Sequence, residues 1–214
     1  MLNLPALDLD AFAARLTSAA PGATLGQGAV AALHIHYQEL RRWGARTSLL
    51  GPREGELLFE RHYAEALAAL PLLPPGPAQL LDLGSGAGFP GIVLAAVRPD
   101  LAVTLVEPRH RKWAFLCAVA RRAALSCRCL DARVTANELP DLPETVDVVT
   151  IRALRLEPAA FEHLSSRLSA DARLLLWTGR EEPDLPPRFV AERRVELAGS
   201  ANRLLREYCL REPR

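Results

Sequence analysis

Lysine is almost absent from this sequence of 214 residues. Lysine and arginine together number 26, and only Lys112 is a lysine. Because Asp and Glu number 25, the formal net charge is +1, which excludes a strongly basic coat for nucleic acid but not a local basic patch. The length fits one domain of ordinary size with an appendage.

Long apolar runs and paired cysteines are missing as well. No run of about 18 apolar residues occurs, so no membrane-spanning helix and no membrane partner are expected. Residues 1–4 lack the charged start of a signal peptide. The spacing of the four cysteines matches neither a zinc site nor a disulfide framework. We therefore expect a cytoplasmic protein with reduced thiols and no metal site.

One glycine-rich stretch organises the rest of the chain. Residues 80–91 read LLDLGSGAGFPG, which is an apolar run, three glycines at alternate positions and a proline. Glycines let the backbone turn tightly and let a ligand approach it closely. Pro90 suits the first turn of a helix. The free N–H groups at the start of that helix would face a ligand bound at the glycine-rich stretch. The stretch predicts the cofactor end of a Rossmann-like sheet.

Two cofactors use such a turn, and a third interpretation makes it a simple helix cap. Residues 86–91 match the nicotinamide dinucleotide fingerprint, with Glu107 near its acidic position. Asp82, however, precedes the glycines by two residues, where a carboxylate suits the ammonium group of S-adenosylmethionine and repels a pyrophosphate. Glu107 ends the next apolar run and can accept both ribose hydroxyls. These two acids favour S-adenosylmethionine.

The hydrophobic pattern changes near residue 76. Residues 1–75 predict an N-terminal helical segment packed on the core, with one helix capped by Asp8 or Asp10 and others over 27–43 and 54–70. Residues 76–214 predict a single unit in which strands alternate with helices, as in a parallel sheet with crossover helices.

The predicted strands are 79–83, 102–106, 126–130, 146–151, 173–177, 188–196 and 203–210, and the predicted helices are 89–97, 109–124 and 158–168. The last two strands have no helix between them and should pair antiparallel. The fold class is therefore α/β, a Rossmann-like class I methyltransferase with a mostly parallel seven-stranded sheet and an N-terminal helical appendage.

Several segments together carry a family resemblance. The sharpest is residues 82–92, DLGSGAGFPGI, whose Gly-Phe-Pro-Gly-Ile ending is unusual among methyltransferases. The other segments are Leu105-Val106-Glu107, Arg111-Lys112, Phe115-Leu116, Arg133-Val134 and Arg152-Ala153, with Trp43 and Arg61-His62 upstream. Over nearly its whole length the chain resembles the ribosomal RNA small-subunit methyltransferase G family, also called glucose-inhibited division protein B.

The resemblance implies transfer of a methyl group from S-adenosylmethionine to N7 of a guanine in 16S rRNA of the small ribosomal subunit, by a protein that we expect to be a monomer. Guanine N7 is an exposed lone pair that needs no general base, so no catalytic residue is predicted. The predicted cofactor-binding residues, from the glycine pattern and the resemblance together, are Asp82, Gly84, Gly86, Gly88, Phe89, Glu107, Val134, Thr135 and Arg152.

The densest basic cluster lies just past Glu107. Arg109, Arg111 and Lys112 are candidate contacts to RNA, as is Arg133, although the cluster could equally be a solvated helix face. His62 is expected to fill the interface between the helical segment and the sheet, and no partner is predicted for His36.

The sequence departs from the family at a few positions. The family usually has Glu at Thr135, Asp-Ser at Glu65-Ala66 and Lys-Gly at Thr178-Gly179. Because most of these changes lie on the substrate side, two alternatives stay open. One is a methyltransferase with a different acceptor, and the other is a ribosome-binding homologue without catalysis.

Overall fold

A seven-stranded sheet forms the centre of the computed structural model, which describes residues 3–51, 54–199 and 202–211. The strand order is β3-β2-β1-β4-β5-β7-β6, in which β1 to β5 are parallel and β7 is antiparallel to both neighbours. The strands are β1 (Ala78–Leu83), β2 (Leu101–Val106), β3 (Cys127–Leu130), β4 (Val146–Arg152), β5 (Leu168–Thr178), β6 (Phe189–Glu196) and β7 (Leu204–Leu210). The predicted fold class is confirmed.

The helices flank this sheet and precede it. They are α1 (Leu9–Ala19), α2 (Gln27–Gly44), α3 (Ala64–Leu67), α4 (Gly91–Val97), α5 (His110–Arg122) and α6 (Pro158–Ser165). Asp8, rather than Asp10, caps α1, because its Oδ1 accepts a hydrogen bond of 2.8 Å from the N–H of Ala11.

The prediction of one continuous helix over residues 54–70 is wrong. Residues 54–57 form turns, Leu58–Tyr63 is a π-helical segment that leads into α3, and Leu70–Leu72 is a 3-10 turn. Leu58, Phe59, His62 and Tyr63 are all buried. The wider π turn therefore brings two of these rings to Phe89, with centroids 5.1 Å away for His62 and 5.0 Å for Tyr63.

Each face of the sheet is buried in its own cluster of hydrophobic side chains. Leu80 of β1 packs with the N-terminal helices and α4, whereas Leu81 packs with Phe161 of α6. Because side chains alternate along a strand, Asp82 lies on the same face as Leu80, toward the N-terminal helices. Residues from both parts of the chain share this cluster, and the domain boundary near residue 75 stays a prediction. Among the described helices, none has the length and apolar character needed to cross a membrane.

Gly91 provides a test of how tightly α4 is packed on the sheet. A Cβ at this position would lie 2.6 Å from Oδ2 of Asp82 and would also strike Leu105. We expect Gly91→Ala to lower the free energy of unfolding by at least about 2 kcal/mol, as overpacking does.

Gly28 of α2 is the matched control, since a Cβ there meets nothing within 4 Å. Gly28→Ala should raise stability by roughly 0.5–1 kcal/mol. Urea unfolding of both variants checks the pair, and equal effects would contradict the packing described for Gly91.

Candidate cofactor and acceptor site

The glycine-rich loop, residues 84–90, is pinned to the end of the neighbouring strand. The N–H groups of Gly84 and Ser85 both donate to the carbonyl of Val106, at 2.8 and 3.1 Å. Gly86 has φ +54°, and a Cβ there would meet only ordinary contacts. A ligand can therefore approach this backbone from the open side.

Asp82 lies beneath the loop and not on its open side. Its Oδ1 accepts 2.7 Å from the hydroxyl of Thr150, which is its register partner on β4, and its Oδ2 accepts 3.3 Å from the N–H of Gly91. Burial raises the pKa of this carboxyl to about 6, against the opposing effects of its hydrogen bonds and of the Arg152 charge. Asp82 is absent from the described residues that line the cavities below. The structure thus gives it partners other than the predicted ammonium group, and the geometry favours a positioning role.

Glu107 closes the other side of the loop. Its Oε2 accepts 2.9 Å from the N–H of Gly86, and its Oε1 accepts 2.9 Å from the N–H of Arg109. The side chain is buried but belongs to the wall of an open cleft. Since each carboxylate oxygen has a second lone pair, both can still accept a ligand hydroxyl.

His36, for which the sequence indicated no partner, holds the loop from the helical segment. Its Nε2 lies 2.8 Å from the carbonyl of Ala87, and its Nδ1 lies 3.1 Å from the hydroxyl of Tyr63. The ring is fully buried, and burial lowers its pKa to about 4. A neutral His36 therefore donates from Nε2 to Ala87 and accepts at Nδ1 from Tyr63. Helical spacing alone could not show a contact 51 residues along the chain.

A cavity of about 410 Å³, which we call the strand-end cleft, opens on the Glu107 side of the loop. Its walls come from the ends of β1 and β2, from residues 133–137 and from residues 153–157. Val134 is buried in this wall, and the Thr135 hydroxyl accepts from the N–H groups of Asn137 and Glu138 within its own turn. Arg133 is exposed on the same cleft.

A second cavity of about 350 Å³, the helix-side cavity, opens on the opposite side of the loop. Its walls combine the glycine loop with the π-helical segment, α3 and the ends of β4 and β5. Both cavities include Gly84 and Ala153, so they meet at the loop. Arg152, predicted at the cofactor cleft, lines the helix-side cavity, as does Phe89.

Glu65 is the centre of charge in the helix-side cavity. Its Oε2 accepts 2.9 Å from Nη2 of Arg152, and its Oε1 forms an ion pair of 2.7 Å with Nη2 of Arg203. The indole N–H of Trp177, the register partner of Arg152, donates 3.0 Å to the main-chain carbonyl of Glu65. Burial raises the pKa of Glu65, and the two guanidiniums oppose this rise.

His62 lines the helix-side cavity together with Arg152 and Arg203. Its ring packs on Phe89, at the interface between the π-helical segment and the loop. Burial, followed by the positive charges of Arg152, Arg61 and Arg203, lowers its pKa to about 3. The ring is therefore neutral at physiological pH.

The basic cluster after Glu107 borders a third opening, the surface cleft, of about 680 Å³. Residues 47–51 form one wall, and Arg109, Arg111 and Lys112 contribute to the other. Lys112 and Leu49 line both this cleft and the helix-side cavity, so the two openings are continuous. Burial lowers the pKa of Lys112, and Glu107 partly opposes that effect.

The buried His36 makes stability depend on pH in a definite direction. Its folded pKa of about 4 lies below the unfolded value of 6.5, so unfolding takes up a proton between these values and stability falls as pH falls. We expect His36→Gln, which can still donate to Ala87, to reduce the slope of unfolding free energy against pH by about 1.4 kcal/mol per pH unit in this window.

Urea unfolding between about pH 4.5 and 6.5 measures that slope. Tyr63→Phe is the control, because it removes a hydrogen bond to His36 but keeps the titrating ring. It should lower stability by about 1 kcal/mol at each pH and leave the slope unchanged. An unaltered slope in His36→Gln would contradict the buried neutral state.

Comparison with known proteins places these features in a family. A family model described as rRNA small subunit methyltransferase G matches residues 29–184. Two proteins named ribosomal RNA small subunit methyltransferase G illustrate the relatives. The one from Desulfotalea psychrophila is 37% identical over 57% of this chain and 57% of its own length. The one from Mycolicibacterium vanbaalenii is 34% identical over 71% of this chain and 66% of its own length.

The matched stretch thus spans less than two thirds of these relatives. Among solved structures, a SAM dependent methyltransferase from Aquifex aeolicus has a TM-score of 0.56 at 16% identity, covering 84% of this chain and 98% of that one. This likeness shows the fold. Since the family model spans well over half of the sequence, the chain belongs to the rRNA small subunit methyltransferase G family.

Proposed function

We propose that this protein transfers a methyl group from S-adenosylmethionine to N7 of a guanine in the 16S rRNA of the small ribosomal subunit, in the cytoplasm. The observation that carries the proposal is the glycine loop with a cavity on each side. One cavity has the carboxylate of Glu107 in its wall, and the other has guanidinium groups. Membership of the family supports both halves of the proposal.

The strand-end cleft has the groups that a nucleoside needs. Glu107 offers carboxylate oxygens for ribose hydroxyls, and Val134 offers an apolar surface for adenine. Gly84 lines both cavities, and Gly86 and Phe89 line the helix-side cavity, where the methionine end would lie. A volume of about 410 Å³ is in the usual range for a small-ligand pocket.

A dinucleotide fits the loop less well. Its pyrophosphate would need free N–H groups at the start of α4, but the first of these, on Gly91, already donates to Asp82. An ionised carboxylate beneath the loop also repels a phosphate. The loop therefore suits a cationic ligand better than an anionic one.

The chemistry of the acceptor matches the groups in the helix-side cavity. When bound, S-adenosylmethionine supplies a methyl group on a sulfonium centre, which an unprotonated ring nitrogen can take up without loss of a proton. No general base is then required. The two carboxylates in this cavity have other partners, since Glu65 pairs with arginines and Glu54 accepts from the N–H of Gly51.

The surface cleft is the proposed path of the RNA. Arg109, Arg111 and Lys112 line it, and it continues into the helix-side cavity at Lys112. Flexible single strands with splayed bases are the usual targets of sequence-specific RNA recognition. Phosphates in the surface cleft would direct one base toward the glycine loop.

Gly86 tests the cofactor half of the proposal. A Cβ here would enter the space above the loop, and φ +54° adds strain of roughly 1–2 kcal/mol. We expect Gly86→Ala to weaken S-adenosylmethionine binding by at least about tenfold in calorimetry, which corresponds to about 1.4 kcal/mol.

Gly76 is the matched control, because it has φ +78° with nothing within 4 Å of a Cβ and lies before β1. Gly76→Ala should carry similar backbone strain and keep the affinity within about twofold of wild type. Unchanged affinity in both variants would count against the loop as the cofactor site.

The acceptor half is tested by incubation with radiolabelled S-adenosylmethionine and small ribosomal subunits that lack the modification. We expect label at N7 of one guanine of 16S rRNA, mapped by chemical cleavage at the methylated base. Label on another molecule would identify a different acceptor. Cofactor binding without any transfer would indicate a ribosome-binding protein that lacks catalysis.

A further inference from the structure

A further cavity of about 920 Å³, the α6-side cavity, lies beside the ends of β4 and β5. Its walls come from residues 153–156, from α6 and from residues 178–184 after β5. It shares residues 153–156 with the strand-end cleft, and Ala153 and residues 177–179 with the helix-side cavity. A ligand in this cavity would therefore lie next to both halves of a cofactor placed across the loop.

The volumes of the cavities indicate where an acceptor base would bind. The proposed function assigns the two smaller cavities, of about 410 and 350 Å³, to the two ends of the cofactor. An acceptor base needs a separate space that reaches the methyl group between those ends. Ala153 lines all three cavities, and the neighbouring Leu154 packs against Gly84 of the loop. The α6-side cavity thus opens where the methyl group would lie.

A buried arginine on β7 shapes one wall of this cavity. Arg206 is only 5% exposed. Its Nε donates 3.0 Å to the hydroxyl of Thr178, its Nη2 donates 3.0 Å to the carbonyl of Arg180, and its Nη1 pairs with Oε1 of Glu182. A buried charge is costly unless it is paired in this way. One guanidinium therefore fixes three alternate residues of the segment 178–182.

Glu182 is held from below and remains accessible from the cavity. Its Oε2 accepts 3.1 Å from the hydroxyl of Tyr208, next to the ion pair with Arg206. Burial, followed by the charge of Glu182, raises the pKa of Tyr208, so this hydroxyl stays protonated and donates. The side chain of Glu182 is nevertheless 67% exposed, and each carboxylate oxygen has a second lone pair. The carboxylate can therefore accept two further N–H groups without having to be ordered first.

Guanine is the base whose chemistry fits this carboxylate. Its Watson–Crick edge carries two adjacent donors, the N1–H and the N2 amino group, whereas adenine has an acceptor at N1. The N7 atom lies on the opposite side of the purine. Because Arg206 offsets the charge of Glu182, the pair repels RNA less than a lone carboxylate would.

We infer that Glu182 recognises the acceptor guanine by accepting from its N1–H and its N2 amino group, and that Arg206 is the positioning residue that holds Glu182. This rests on the proposed function. A base held in this way turns N7 away from Glu182. The wall at residues 153–156, which borders the loop, is then available to face N7.

The first test separates acceptor recognition from cofactor binding. We expect Glu182→Gln to lower kcat/KM for unmodified small subunits about 10- to 100-fold, because an amide offers one acceptor atom where the carboxylate offers two. The affinity for S-adenosylmethionine, measured by calorimetry, should stay within about twofold of wild type.

Glu192→Gln is the matched control. Glu192 lies on the edge strand β6 and pairs with Arg211, and it is not part of the α6-side cavity wall. Its kcat/KM should stay within about twofold of wild type. Wild-type kcat/KM in Glu182→Gln would overturn the inference. A tenfold loss of cofactor affinity in that variant would overturn it as well, because the carboxylate would then serve the cofactor.

The second test addresses the N2 amino group and does not depend on turnover. Binding of a single-stranded RNA with one guanosine is compared with binding of the same RNA carrying inosine, which lacks that amino group, in the presence of S-adenosylhomocysteine. Wild type should bind the guanosine RNA about tenfold more tightly, and most of this preference should disappear in Glu182→Gln.

Arg206→Lys tests the positioning role. A lysine keeps the charge but lacks the planar fork that joins residues 178, 180 and 182. We expect this variant to lose most of the preference for guanosine while its S-adenosylmethionine affinity stays within about twofold of wild type. A loss of stability alone would not change the ratio of the two RNA affinities. An unchanged ratio would overturn the role of Arg206.

The outcomes separate this inference from the proposed function. A preference for guanosine that is absent from wild type, or equal in wild type and Glu182→Gln, would overturn the inference. If the preference depends on Glu182 but subunits receive no methyl group, the proposed function fails and the guanine site stands. If subunits are methylated at N7 and Glu182→Gln keeps wild-type kcat/KM, the guanine site fails and the proposed function stands.

Discussion

The rigid placement of the glycine loop is the constraint on which the site depends. Three side chains hold the backbone of the loop and of the first residue of α4: Glu107 on the N–H of Gly86, His36 on the carbonyl of Ala87, and Asp82 on the N–H of Gly91. They come from β1, from the end of β2 and from α2. Because the loop separates the two cavities, its position sets the geometry of both.

The alternation of side chains along the strands decides what faces the helix-side cavity. Asp82 and Leu80 share one face of β1, and on β4 the same face carries Thr150 and Arg152. The N-terminal helices cover this face and add Glu65 to it. The helical segment therefore completes a pocket that the sheet alone would leave open.

The parts of the molecule that follow from local pattern were predictable from sequence. Strand positions, the antiparallel ending and the glycine loop all depend on periodicity and on residue type. Contacts such as His36 with Ala87, or Arg203 with Glu65, join residues far apart in sequence and leave no local signal. The partners of Asp82 were missed for a similar reason, since Thr150 becomes its neighbour only when β4 pairs with β1. The π-helical turn likewise departs from the period of 3.6 on which helix prediction rests.

The distribution of charge differs between the two sides of the loop. Acidic groups lie beneath the loop at Asp82 and beside it at Glu107, whereas guanidiniums gather on the helical side around Glu65. A ligand that crosses this short backbone segment therefore meets a carboxylate on one side and guanidiniums on the other. On the helical side of the loop, Phe89 packs against His36 and His62. Burial lowers the pKa of both histidines, so the rings are neutral at physiological pH and add no positive charge beside Phe89.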